Sequence, residues 1–223
     1  MNEKSFFKNG NSYNVNTKKK ISAIIITHVW GNAAKVEAIK KICNKKNIKI
    51  IEDASESLGT FYKNSKRHTG TIGDVGVISF NANKIITTGG GGVILTKNKN
   101  YAKKAKYLSL QAKENNIFFI HNEIGYNYRM INLSAALGLS QIKILNKIRK
   151  NKLFIYSQYK KFIKNPNITL MPRPYYANNN NWMNVIKLDD KNSTFNRNKL
   201  IKKFLANNIE VRPVWLLNHL QKP

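Results

Sequence analysis

Two short runs of β-branched residues flank an amphipathic segment early in this chain, and that arrangement constrains the fold more than any other feature. Ile21-Ser22-Ala23-Ile24-Ile25-Ile26-Thr27 is short, apolar and nearly continuous, the pattern of a buried strand. Gly31-Asn32 marks a turn. Val36, Ile39 and Ile42 then recur at helical spacing, which predicts a helix over residues 36–46. Ile48-Lys49-Ile50-Ile51 reads as a second buried strand, and it ends in Glu52-Asp53. Strand, helix and strand in this order imply parallel strands joined by a crossover. Open sheets of this kind bind ligands outside the carboxyl ends of their strands, which is where Glu52-Asp53 stands.

The α/β pattern continues downstream. Residues 75–80 and 92–96 read as short strands, the second following Gly89-Gly90-Gly91-Gly92. Residues 101–112 read as a helix. From 132 to 163, Leu133, Leu137, Ile144, Leu145, Ile148, Leu153 and Phe154 recur at helical spacing, predicting one long helix or two joined ones. Pro166, Pro172 and Pro174 mark a boundary, and Asn178 to Asn181 reads as a polar loop. Residues 185–188 read as a strand, 195–207 as a helix capped by Ser193, and 209–212 as a last strand. The expected division is a large α/β unit over residues 1–144 and a small α+β unit over 145–223.

The chain has 223 residues, 42% of them hydrophobic, enough for one domain and part of a second. Its 39 Lys+Arg against 11 Asp+Glu give a formal net charge of +28. The lysines are spread along the whole length among many Asn and Ile, a drift of composition and not a patch. No nucleic-acid partner is therefore expected, only a general attraction to anionic ligands. No window approaches the ~18–20 apolar residues of a membrane helix, and residues 1–20 lack the apolar stretch of a secretory leader. No membrane association and a cytoplasmic location are expected. The single cysteine, Cys43, can form neither an internal disulfide nor a CxxC metal site, and no metal is expected. Its place in an amphipathic helix makes it a buried apolar side chain.

Three segments carry the chemistry. The first is Ile50-Ile51-Glu52-Asp53-Ala54-Ser55-Glu56-Ser57-Leu58-Gly59. The second runs from Gly70-Thr71-Ile72-Gly73-Asp74 through Ser79-Phe80-Asn81-Ala82-Asn83-Lys84 to Thr87-Thr88-Gly89. The third is Asn122-Glu123-Ile124-Gly125-Tyr126-Asn127-Tyr128-Arg129-Met130. On its own, Asp53 is either a helix cap or the partner of a buried cation, and Lys84 is either a surface lysine or an amine placed for chemistry. The glycine run lacks the Gly-Lys-Ser/Thr ending of a nucleoside-triphosphate loop.

Taken together, these segments resemble the DegT/DnrJ-type family of fold-type-I, pyridoxal-phosphate-dependent aminotransferases, which aminate keto-sugars carried on a nucleotide. Leu110-Gln111-Ala112-Lys113 and Arg212-Pro213-Val214-Trp215, with Asn218-His219-Leu220, resemble the branch that acts on UDP-linked 4-keto-6-deoxy-N-acetylhexosamines. The resemblance implies a mostly parallel sheet in a large domain, then a small α+β domain, with the chain incomplete at both ends. It implies that Lys84 binds pyridoxal 5'-phosphate covalently and moves protons. It also implies that Asp53 holds the pyridinium proton, Ser79 the phosphate, and Asn127 the phosphate of a partner subunit in a homodimer. Glu56 falls where relatives approach the cofactor's ring oxygen, and Arg212 and His219 fall on the substrate side. His28 lies near the active site of relatives, and a satisfied core histidine is an equal reading. Partners implied are a nucleotide-sugar and an amino-acid donor, glutamate. A related sugar dehydratase keeps the fold but carries histidine in place of the lysine, which Lys84 argues against. A truncated or inactive homologue would keep the same motifs, and so a catalytic reading needs activity to support it.

Overall fold

The computed structural model describes residues 4–115, 117–189 and 196–222. They form two compact units, Met1–Ser157 with Pro172–Asn184 and Gln158–Met171 with Val185–Pro223. The first holds β1 (Ser5–Lys8), β2 (Asn11–Asn14), β3 (Ala23–Thr27), α1 (Val36–Lys46), β4 (Lys49–Asp53), β5 (Phe61–Tyr62), β6 (Val75–Ser79), β7 (Gly92–Leu95) and α2 (Lys99–Ser109). The boundary between units falls inside α3 (Asn132–Phe162), a single long helix. The second unit pairs β8 (Ile168–Leu170) antiparallel with β10 (Ile186–Leu188) and adds α4 (Arg197–Ala206), while β9 (Ala177–Asn178) belongs to the first. No described helix is long and apolar enough to cross a membrane.

The strand–helix–strand reading holds. The main sheet has the order β3-β4-β6-β7, with β3, β4 and β6 parallel and β7 antiparallel at the edge. Helix α1 covers one face through Val36, Ile39 and Cys43, joined in the core by Ile26, Ile48, Ile50 and Ile72. Cys43 lies seven residues beyond Val36, back on the same helical face. Ile42, expected in that stripe, is rotated away and half-exposed.

The β-branched runs imply strands buried on both faces, and the described residues cover one face more fully than the other. Ile24 and Ile26 of β3 pair in register with Ile50 and Glu52 of β4 on the covered face. Ile25 points the other way and is 68% exposed, and Ile94 of β7, in register with Val77 on that same second face, is 56% exposed. Residues 209–212 do not form the expected strand: among the described residues no strand pairs with them, and Arg212 bonds instead to Glu210 two residues back. Ser193 lies outside the described residues, and α4 is capped by Asn196, whose side chain accepts the Asn198 and Lys199 N–H groups.

The expected polar loop at 178–181 is also different from its composition. Asn179, Asn180 and Asn181 are buried, as is Trp182 beside them. Their amides replace backbone partners. Asn179 accepts the Ala33 N–H, Asn180 donates to the carbonyls of Glu56 and Leu58, and the Asn180 N–H reaches Thr60 Oγ1. Gly31 makes room for this segment. Its φ is +87°, and a Cβ there would lie 1.8 Å from Asn180 Oδ1.

Beneath the sheet sits a fully buried carboxylate. Glu52 accepts the Gly70, Ile72 and Gly73 N–H groups and a hydrogen bond from His28 Nε2 at 3.0 Å. His28 Nδ1 accepts the Ala34 N–H, which fixes the ring proton on Nε2. His28 is therefore a satisfied core histidine. Burial alone would push the Glu52 carboxyl up, but the donors from His28, Gly73 and Gly70 bring it below the ordinary range.

Glu52→Gln should cost about 2–4 kcal/mol, because an amide presents N–H to donors that need an acceptor. The wild-type contribution is present above the ordinary glutamate range near ~4.3 and is lost as pH falls through the lower folded value. Urea titrations from pH 7 to pH 3 should show this acid loss in the wild type and its absence in the variant. Gly31→Ala should lower the urea midpoint by the equivalent of about 2 kcal/mol or more, since the added methyl meets both positive φ and the Asn180 amide.

Candidate cofactor and active site

The carboxyl ends of β4 and β6 lie side by side. Asp53 is in register with Val77, and Ser79 follows two residues on, so both side chains sit on the less covered face of the sheet at one end. Asp53 Oδ1 accepts the Ser55 N–H at 3.1 Å, which turns the chain out of the strand toward Glu56. Ser79 Oγ accepts the Asn81 N–H at 3.2 Å in the same way.

Lys84 stands on the loop after β6. Phe80 anchors both ends of this loop, donating to Gly91 O and accepting from Thr88 N at 3.0 Å. Ile85 and Ile86, buried next to Lys84, pin it to the core. Helix α3 holds its far side, where Gln141 Oε1 accepts the Thr87 N–H at 2.9 Å. Gly89 takes φ +80°, and a Cβ there or at Gly90 would meet nothing within 4 Å, so the glycine turn borders open space.

Held in this way, the Lys84 side chain is only 14% exposed. Its Nζ lies 3.9 Å from Glu56 Oε1 and 4.3 Å from the centroid of the Trp182 ring. Glu56 Oε2 accepts the Trp30 N–H at 2.6 Å, so the carboxylate is aimed between the backbone of 30 and the lysine. Burial pushes the Glu56 carboxyl up; the Trp30 bond and the Lys84 charge oppose this, and the Asp53 charge adds to it.

The structure thus brings Lys84 and Glu56 together, with Asp53 and Ser79 on the adjoining strand ends. Asn127 is elsewhere: it is exposed, bridges antiparallel to Leu110, and among the described residues makes no hydrogen bond to this group. Arg212 and His219 belong to the second unit. Arg212 pairs with Glu210 at 2.6 Å, and His219 is exposed in a single 3-10 turn, Asn218–Leu220. Trp182 and Asn180 are the residues that the sequence reading missed. A run of asparagines carries the signature of a solvated loop, and the signal pointing the other way was the tryptophan that ends it.

Comparison with known proteins bears on this arrangement. Residues 13–223 match the model of the DegT/DnrJ/EryC1/StrS aminotransferase family. EpsN of Bacillus subtilis (strain 168) is 35% identical over 200 residues, covering 89% of this chain and 50% of that protein. The GDP-perosamine synthase of Caulobacter vibrioides is 33% identical over 211 residues, covering 92% of this chain and 55% of its own length. Among solved structures, Helicobacter pylori PseC, an aminotransferase involved in the biosynthesis of pseudoaminic acid, superposes with a TM-score of 0.72 at 28% identity, over 84% of this chain and 50% of that one. The chain thus spans about half the length of the curated relatives it matches. A match that runs through both units, on a sheet of fold-type-I character, places the chain in the DegT/DnrJ/EryC1/StrS aminotransferase family.

Proposed function

We propose that the protein is a pyridoxal-phosphate-dependent aminotransferase that moves an amino group from glutamate to a nucleotide-linked 4-keto-6-deoxy sugar for surface-glycan synthesis. One observation carries the reading most directly. A largely buried lysine is held beside an open glycine turn, at the sheet end that also bears a carboxylate and a hydroxyl. This donor set fits the cofactor, offering an amine for its aldehyde, a carboxylate for its ring nitrogen and a hydroxyl for its phosphate. Bound there, the cofactor would supply an electron sink.

The roles of the residues follow from their chemistry. Lys84 Nζ is the nucleophile toward the cofactor and, once free, the base and acid for substrate protons. Asp53 holds a proton on the ring nitrogen. Ser79 donates to phosphate. Glu56 sits close enough to Lys84 to bias where the amine rests. Asn127, Arg212 and His219 are assigned on their motifs: Asn127 to the phosphate of a partner subunit in a homodimer, Arg212 and His219 to the sugar-nucleotide. In this reading residues 1–144 are the cofactor-binding domain and 145–223 the small domain, and the protein acts in the cytoplasm. The motifs at 110–113 and 212–220 favour a UDP-linked sugar, while the likeness to a GDP-perosamine synthase favours GDP as the second reading.

Lys84→Ala should abolish both the visible absorbance of bound pyridoxal phosphate and amino transfer from glutamate. The proton-transfer role alone is worth ~10²–10⁴-fold. Asp53→Asn should keep the colour and lose turnover. Assays on UDP-linked and GDP-linked keto-sugars, read by mass spectrometry, measure both variants and choose the nucleotide. A coloured, active Lys84→Ala protein contradicts the assignment. Sedimentation should report a dimer, the symmetric assembly that a shared site needs; a fully active monomer contradicts the role given to Asn127.

A further inference from the structure

The Lys84 amine has a neighbour that the family motifs do not name. We propose that Trp182 is a positioning residue for Lys84: its indole face holds the free amine, and its Nε1 holds the loop that carries it. The proposal rests on the reading of Lys84 as the cofactor lysine.

Two contacts from one side chain reach the same loop. Trp182 Nε1 donates to Asn83 O at 2.9 Å, one residue before Lys84. The ring of the same tryptophan lies 4.3 Å from Lys84 Nζ, well inside the range of a cation–π interaction. Trp182 is 4% exposed, so the attraction acts where water screens it little. Glu56 is the other neighbour, but at 3.9 Å it is too far for a hydrogen bond and acts only through its charge. Burial raises the Glu56 carboxyl, so that charge is lost earlier as pH falls. The indole ring itself carries no group that titrates over that range.

The same segment also fixes Glu56. Asn180 Nδ2 donates to the Glu56 carbonyl at 2.8 Å, and Asn180 Oδ1 accepts the Trp182 N–H at 2.9 Å. A short stretch beyond α3 therefore sets the backbone of Glu56, the backbone at Asn83 and the position of Nζ together. A lysine stem is long and flexible, and an amine that must reach one atom gains from being held when it is not bonded there. A tryptophan buried only for packing would need a partner for Nε1, which Asn83 provides. Packing alone does not require its face to meet an amine.

The test separates these roles in the 223-residue chain with no cofactor added. Trace labelling with acetic anhydride, mapped by mass spectrometry, compares Lys84 with exposed Lys63 in the same molecule. Trp182→Leu keeps an apolar side chain and removes the π face. It should raise the Lys84:Lys63 labelling ratio about tenfold, and Trp182→Phe, which keeps a ring, should raise it no more than about threefold. An unchanged ratio in Trp182→Leu overturns the proposal, and so does an equal rise in Trp182→Leu and Trp182→Phe, which is what general loosening around the largely buried Lys84 would give. If the leucine variant fails to fold, the wild type still decides. Its Lys84 ε-methylene protons, assigned with Lys84→Arg, should lie upfield of those of exposed lysines through the indole ring current; their absence from that position overturns the proposal. Borohydride reduction with pyridoxal phosphate, followed by peptide mapping, reads the assignment beneath. A label on another lysine removes the cofactor role of Lys84 and that of Trp182 with it. A label on Lys84 with an unchanged acetylation ratio removes the Trp182 proposal alone.

Discussion

The buried Glu52 carboxylate is the interaction on which the rest of this structure depends. A charge at that depth is tolerated only when its oxygens are saturated with donors, and here they are. Three of those donors are backbone N–H groups of 70–73, so the carboxylate ties β4 to the turn that feeds β6. The turn is crowded as well: a Cβ at Gly73 would lie 2.8 Å from Ile50 O, and one at Gly76 would lie 1.9 Å from Gly70 O. Register between β4 and β6 is what puts Asp53 and Ser79 at one end of one face. The candidate site is thus built on a structural acid one residue away from Asp53, the one proposed to meet the cofactor.

The strand ends alone do not complete the site. Glu56 and Lys84 stand on loops that leave the sheet, and loops need anchoring from elsewhere. Part of that anchoring comes from the 179–182 segment, distant in sequence. It enters beside Gly31, bonds to the Glu56 backbone and ends with Trp182 against the lysine loop. Buried asparagine amides suit this task, because each offers a donor and an acceptor in fixed geometry and can satisfy irregular backbone that no strand pairs.

What could be read from the sequence follows the range of the interactions involved. Helix α1, the parallel pair β3 and β4, and the long α3 are set by local periodicity, and they appear where the pattern puts them. Cys43 is buried as its helical position implies, while Ile42 falls outside the stripe, because apolar spacing alone does not resolve one residue of rotation around a helix. Residues 209–212 have strand-like composition but no partner strand among the described residues, and a strand without a partner is not a strand. The burial of 179–181 was hidden for the opposite reason: polar residues go inside only where specific partners await them, and those partners lie more than a hundred residues earlier. The exposure of Ile25 and Ile94 shows that a pattern of two-sided burial states what a strand can cover, not what this stretch of chain supplies.

The charge of the chain sharpens the meaning of the site. With 39 Lys+Arg against 11 Asp+Glu, a carboxylate is the scarce group here and lysine the common one. Glu52, Asp53 and Glu56 nevertheless fall within five residues at a single strand end. Like charges held this close together repel, so the cluster needs a physical reason to stand there. Glu52 has one in the donors that surround it. Among the described residues Asp53 and Glu56 each accept a single backbone N–H, from Ser55 and Trp30 respectively, and the Asp53 charge adds to the cost of the Glu56 one. What offsets that cost is positive charge brought to the same place, and Lys84 supplies part of it. On the proposed reading, a protonated ring nitrogen at Asp53 would supply the remainder, so that the charges of the strand end balance only with the cofactor in place.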